Sequence, residues 1–269
     1  MDTWILGVKF PKTALYADAK SFVNCLYRNP GALFRLVFFP WSGGGSTFFL
    51  PNGAKRFLTC LPQSQVHSIR DIYQIVDEVV HALLPIIRGG GEFPLFCFFH
   101  HKSLVNMGCC IAFMTALHLK EKYTLEPVHL FMSSSSAPHV SNFIFLPEGN
   151  AQLTDEQIIC GLRETGGIPK ELIADKEFLT KHIPKVISDM RLISDYIFDL
   201  PPKALLSCDL TCFIGSEDVI TDAEAWKDVT SGSFDIHVLP GDHFYILEPS
   251  NEDFIKNYIT KTLELSMWS

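Results

Sequence analysis

Short, continuously apolar runs alternate along the chain with longer stretches in which apolar residues recur every three or four positions. LFRLVFF (33–39), FPLFCFF (93–99), VHLFMSS (128–134), LTCFIG (210–215) and FDIHVL (234–239) read as buried strands. Between and after them, DIYQIVDEVVHALLPII (71–87), NMGCCIAFMTALHLKEKY (106–123) and NEDFIKNYITKTLEL (251–265) have the period of helices. Strands apolar at nearly every position are covered on both faces. Their alternation with helices predicts an α/β fold, a mainly parallel sheet with helices on either side.

One stretch breaks the alternation. Residues 151–202 are helical in pattern without an intervening strand, starting at LTDEQ, where Thr154 and Gln157 have the spacing of a capping box. GGIPKE (166–171), HIP (182–184) and LPPK (200–203) cut the stretch into short helices. Such an insertion forms either a lid over the carboxyl edge of the sheet or one side of an ordinary domain.

Composition narrows the class. The 269 residues are 47% hydrophobic and 19% charged, enough for a large core in a single domain (1–269) carrying the insertion, or in at most two domains. A net charge of -8 argues against general affinity for nucleic acid or anionic membranes, which need clustered Lys and Arg. The N-terminus lacks the features of a secretory signal, and no apolar run reaches the roughly 18 residues of a membrane span. Several of the eight cysteines sit inside apolar runs and none makes a CxxC, which points to buried, reduced thiols in the cytosol. The ten histidines show no ligand spacing, so no metal is expected. Nothing resembles a coiled coil or repeat, and a monomer is expected.

Chemistry-bearing residues fall where strands end. SED after LTCFIG places Asp218 just beyond one strand, and PGDHFYIL after FDIHVL places His243 in the next loop. Loops at the carboxyl ends of parallel strands build the site in open α/β sheets. A serine hydroxyl needs an imidazole to take its proton and a carboxylate to fix the imidazole, and an acid then a histidine after a serine is one known chain order for that trio. Taken singly, Asp218 also fits as a cap for the helix around AEAWKDV, and His243 as a loop histidine among aromatics. Upstream, FFPWSGGGSTFF (38–49) runs from a strand into a glycine-rich turn, where the backbone N–H of Trp41 or Ser42 is the candidate oxyanion donor; a flexible turn is the alternative. It matches neither phosphate-loop pattern.

FPWSGGGSTFF, LSCDLTCFIGSEDVITDAEAWKDVTSG and LPGDHFYILEPSNEDFIKNYI together resemble the type II thioesterases, from about residue 24 to the C-terminus and most densely after 206. The resemblance implies an α/β-hydrolase fold with a helical lid at 151–202. It also implies hydrolysis of the thioester joining a fatty acyl chain to the phosphopantetheine arm of the acyl carrier domain of fatty acid synthase, with release of a medium-chain fatty acid. Asp218 stands at the position of the triad acid and His243 at that of the base. The partners implied are the carrier domain and the acyl chain; no cofactor is implied, because phosphopantetheine arrives on the substrate.

The chain departs from the family at the nucleophile. Where the family reads GHSMG or GHSLG between strand and helix, this chain has HHKSLVNMG, four residues longer. Aligned from the helix, Asn106 falls on the serine; aligned from the strand, Lys102 does. Ser103 is the nearest hydroxyl and the candidate nucleophile, but His101 and Val105 replace the two glycines of GxSxG, and Ser103 fits equally as a helix cap. Cys109 and Cys110 offer thiols nearby, in a helix pattern that looks buried. A strand and PGR loop expected before 71–87 are also missing, since VHS (66–68) runs almost directly into IRDIYQIVDEV. Two function classes follow: a thioesterase using Ser103, Asp218 and His243, or a catalytically impaired relative that binds acyl chains or the carrier domain without turnover. A hydrolase of soluble esters is a third, weaker fit.

Overall fold

The computed structural model describes residues 3–8, 23–27, 34–39, 71–88, 95–100, 107–140, 154–164, 198–199, 201–218 and 222–266, with positions 177, 180 and 184. Every apolar run read as a strand is one. Among the described residues the sheet has seven strands: β1 (Thr3–Val8), β2 (Val23–Tyr27), β3 (Phe34–Phe39), β4 (Leu95–His100), β5 (His129–Ser133), β6 (Asp209–Gly215) and β7 (Phe234–Leu239). Their order is β2-β1-β3-β4-β5-β6-β7, parallel throughout except for β2 against β1. β1 and β2 had no counterpart in the hydrophobic pattern. β1 nevertheless takes an inner place, pairing β3 on one side and β2 on the other.

The period of two in each strand divides the core into two layers. Val37, Phe39, Leu130, Met132, Leu210 and Cys212 face a cluster with helices α1 (Ile72–Arg88) and α2 (Met107–Tyr123). Phe38, Phe131 and Phe213, from three of the parallel strands, face Ile255, Ile259 and Leu263 of helix α4 (Pro249–Leu265). Those three aliphatics recur every four residues, a stripe along one side of the helix. Each buried Phe contributes about 1.5–3 kcal/mol of apolar burial, so this row is a main tie between α4 and the sheet. The result is a helix–sheet–helix sandwich.

Local chemistry sets the helix ends. The Tyr73 N–H donates to Asp71 Oδ1 at 3.0 Å, capping α1. At its other end Pro85 lies inside the helix, and the buried Arg35 guanidinium of β3 donates to the Ile87 carbonyl at 3.1 Å. α2 is apolar all round and buried from Gly108 to Ala116, because α1 and the sheet cover it and Phe198 and Trp226 pack edge-on against Phe113. The capping box predicted at Thr154 forms reciprocally at the start of helix α3 (Asp155–Glu164): Thr154 N–H to Gln157 Oε1 at 2.8 Å, Gln157 N–H to Thr154 Oγ1 at 3.3 Å. Among the described residues, no helix is long and apolar enough to cross a membrane.

One buried histidine ties stability to pH. His129 in β5 stacks on Phe131 and bonds Thr211 Oγ1 at 2.8 Å through Nε2, while its Nδ1 has no partner among the described residues. Burial pulls its pKa down to about 4 from the usual 6.5, against the opposing pull of Asp209 and Asp235. The unfolded chain therefore takes this proton first. Stability from the neutral ring is complete above about pH 6.5 and falls as pH drops toward 4, by roughly 3 kcal/mol in all. Urea unfolding across that window should show this loss, and His129→Gln should remove most of that slope.

Candidate active site

β6 ends at Gly215 and β7 at Leu239, and parallel pairing aligns these two residues across the ladder. The pairing continues beyond both strands: Ser216 N–H donates to the Leu239 carbonyl at 2.8 Å and Glu217 N–H to the Gly241 carbonyl at 2.9 Å. A side chain at 215 is sterically excluded, because a Cβ there would lie 2.4 Å from the Asp242 carbonyl oxygen and 2.6 Å from that of Gly241. Gly241 has φ +119°, a conformation L-residues rarely adopt. Two glycines thus let the loop after β7 fold tightly over the end of β6.

That passage brings Asp218 to His243. The Asp218 N–H bonds back to the Gly215 carbonyl at 3.1 Å in a tight turn, and its carboxylate meets His243 Nδ1 at 2.9 and 3.1 Å. The Asp218 side chain has 0% exposure and that of His243 5%. A carboxylate only accepts, so Nδ1 carries the proton and Nε2 keeps its lone pair as a potential base. The loop is pinned from below as well: the buried Asn251 side chain of α4 donates to the carbonyls of Pro240 and Tyr245, both at 2.8 Å. Capping, the alternative for Asp218, falls instead to Asp222, whose Oδ1 accepts the Ala225 N–H at 3.3 Å at the start of the 3-10 helix Glu224–Val229.

Ser103, Trp41 and Ser42 lie outside the described residues, as do His101, Lys102, Val105, Asn106 and the VHS stretch at 66–68. What the sheet fixes is where their segments emerge. β3 and β4 pair in parallel through Phe39 and His100, so the chain leaves both strands on the sheet edge that carries Asp218 and His243. Cys109 and Cys110, by contrast, are buried, and burial pushes the Cys109 thiol up to about 12. Desolvation likewise raises Cys110, so neither supplies a thiolate at neutral pH.

The sequence between β3 and α4 matches the family model of the thioesterase domain over residues 34–262. The chain belongs to the thioesterase family. This thioesterase is 49% identical over 258 residues to the medium-chain S-acyl fatty acid synthase thioesterase of Rattus norvegicus, covering 91% of this chain and 93% of the rat protein. It is 47% identical to the Homo sapiens protein of the same name, over 90% of this chain and 92% of the relative. Its fold superposes on the crystal structure of human thioesterase 2 with a TM-score of 0.66 at 45% identity, covering 87% of this chain and 98% of the other. The thioesterase thus has the α/β-hydrolase fold implied by its motifs.

Residues that the sequence did not single out complete the frame: Gly215, Asn251, Tyr245 and Ser133. Only the glycine, next to SED, carried a local signal. Gly215→Ala should destabilise the thioesterase by about 1–3 kcal/mol through overpacking, measured by urea unfolding, and should displace His243 from Asp218.

Proposed function

We propose that this thioesterase hydrolyses fatty acyl thioesters on the phosphopantetheine arm of the acyl carrier domain of fatty acid synthase and releases free medium-chain fatty acid. The observation that carries the reading is the buried Asp218–His243 pair, bonded through Nδ1 on the sheet edge from which the segment containing Ser103 departs. The names of the rat and human relatives supply the substrate class.

The geometry supports the following chemistry. His243 Nε2 takes the proton of the Ser103 hydroxyl as Oγ attacks the thioester carbonyl, and Asp218 stabilises the imidazolium that forms. The backbone N–H of Trp41 or Ser42 donates to the oxyanion. The C–S bond then breaks, the imidazolium returns its proton to the departing sulfur, and the acyl group stays on Ser103. Water, deprotonated by the same Nε2, attacks the acyl carbonyl; the C–O bond to Ser103 breaks, the proton returns to Oγ, and fatty acid leaves. No resident cofactor takes part. The segment 151–202, which begins with α3, serves as the lid over the acyl chain in a single domain. Catalysis by a monomer in the cytosol completes the reading.

A second reading rests on one observation. HHKSLVNMG puts His101 and Val105 where the serine of an elbow is normally flanked by glycines. In that reading the chain binds the acyl group or the carrier domain without turnover.

Thiol release from decanoyl-phosphopantetheine, followed colorimetrically, separates the two. Under the hydrolytic reading His243→Ala and Asp218→Asn each lower kcat by about 10³-fold or more, and fluorophosphonate labelling disappears in Ser103→Ala. Turnover that survives His243→Ala rejects the mechanism. Absence of both turnover and labelling, with decanoate still retained, selects the second reading.

A further inference from the structure

β5 runs into four consecutive serines, Ser133 to Ser136, which the proposed chemistry does not use. Ser133, Ser134 and Ser135 are buried. Buried hydroxyls cost free energy unless bonded, so a serine run in the core needs an explanation.

Apart from the Ser135 hydroxyl, which donates to the Ser136 carbonyl at 3.1 Å, and contacts with the Cys109 thiol, the run reaches β6 and the segments that follow β6 and β7. Ser133 Oγ bonds the Tyr245 hydroxyl at 2.7 Å. Ser134 takes φ +46°, a left-handed conformation for a non-glycine residue, and its N–H donates to the Phe213 carbonyl of β6 at 2.9 Å. The Ser135 carbonyl accepts from the Trp226 indole N–H at 2.8 Å, and Ser136 Oγ accepts from the Asp222 N–H at 3.3 Å. The tail of β5 therefore grips β6 and the start of the 3-10 helix Glu224–Val229 on one side and the loop of His243 on the other.

The Tyr245 contact is the more telling. β5 does not pair with β7, since β6 lies between them. The phenol thus reaches across a whole strand to brace a loop that backbone pairing ties only to β6. Tyr245 is two residues from His243 and opens the 3-10 turn Tyr245–Leu247. Tyr245 N–H donates to the Asp242 carbonyl at 3.0 Å and Glu248 N–H to the Tyr245 carbonyl at 3.2 Å, so the segment 242–248 behaves as one stiff unit. Fixing the phenol at one end fixes the imidazole at the other. The ring alone would fill the same apolar space as phenylalanine; the hydroxyl adds the tie to β5, beside the backbone bonds to Asp242 and Asn251.

We propose that Tyr245 is a positioning residue for His243, with Ser133 as its anchor: the bond between their hydroxyls holds the 240–245 loop against β5 and so aims the imidazole at Asp218. Its catalytic meaning rests on the hydrolytic reading above, but the contact and its effect on His243 do not.

Two isosteric deletions test it, Tyr245→Phe and Ser133→Ala, in the full chain labelled with ¹⁵N-histidine. NMR titration should show the His243 pKa falling by about one unit in each variant as the Asp218 contact loosens, with less of the Nδ1–H tautomer. With decanoyl-phosphopantetheine, kcat should fall about tenfold at unchanged KM, and the double variant should be no worse than either single one. A wild-type titration curve in either folded variant, or additive losses in the double variant, overturns the proposal. So does loss of the cooperative thermal transition in both, which would make the bond a core support instead. If the wild-type protein turns over no thioester, the hydrolytic reading fails, while the titration still decides the role of Tyr245.

Discussion

The contact on which the site depends is a backbone one: the loop after β7 passes over Gly215 so closely that no side chain fits between them. Parallel strands about 4.8 Å apart bring their carboxyl ends side by side, but they do not by themselves bring two loop side chains into bonding distance. Here the ladder runs on past both strands, through Ser216 to Leu239 and Glu217 to Gly241. Asp218 and His243 follow at once in their respective loops. Their bond is thus the product of a register set along the whole of β6 and β7, with glycine removing the one steric obstacle.

The two-layer core supplies the stiffness behind that register. β5 is buried along its whole length and β6 for most of it, so both strands are fixed from two sides: α1 and α2 press on one face, α4 on the other. α4 acts twice. Its aliphatic stripe packs on the phenylalanine row, and its Asn251 reaches up to two carbonyls of the His243 loop. Core and site therefore share an element.

Much of this was legible in the sequence, and what was not has physical reasons. The five runs read as strands were visible one residue at a time; β5 and β6 are apolar nearly throughout because helices cover both faces, whereas β7 lies at the sheet edge, half-buried with Val238 exposed. β1 and β2 escaped it: TWILGV and VNCLY are short and mixed, and β1 is a strand because it pairs with β3 some thirty residues away in the chain. The capping box was readable because its partners are three residues apart. Asp218 and His243 were readable as candidates from their order and place after strands. Which of Asp218 and Asp222 caps the following helix was not, because both precede it and only the loop's fold decides. Ser133 and Tyr245 are 112 residues apart, and a serine run gives no local sign of a bond over that separation.

The cost of the Asp218–His243 pair bears on which of the two functional readings is the better one. A carboxylate with no exposed side-chain surface gives up its hydration, a penalty of several kcal/mol that a single imidazole partner repays only with good geometry. A well-packed apolar pair of similar volume would stabilise the same two loops at least as well. A fold that needed only a pocket for an acyl chain would have no physical use for an acceptor held on Nδ1 and a lone pair left on Nε2. That arrangement is useful when a proton must be taken from a weak nucleophile and the resulting cation stabilised. The buried thiols point the same way by elimination: Cys109 stays protonated at neutral pH, so it cannot act in place of a hydroxyl. With the thiols set aside, a hydroxyl is the nucleophile that the pair would serve, and Ser103 is the residue on which the hydrolytic reading turns.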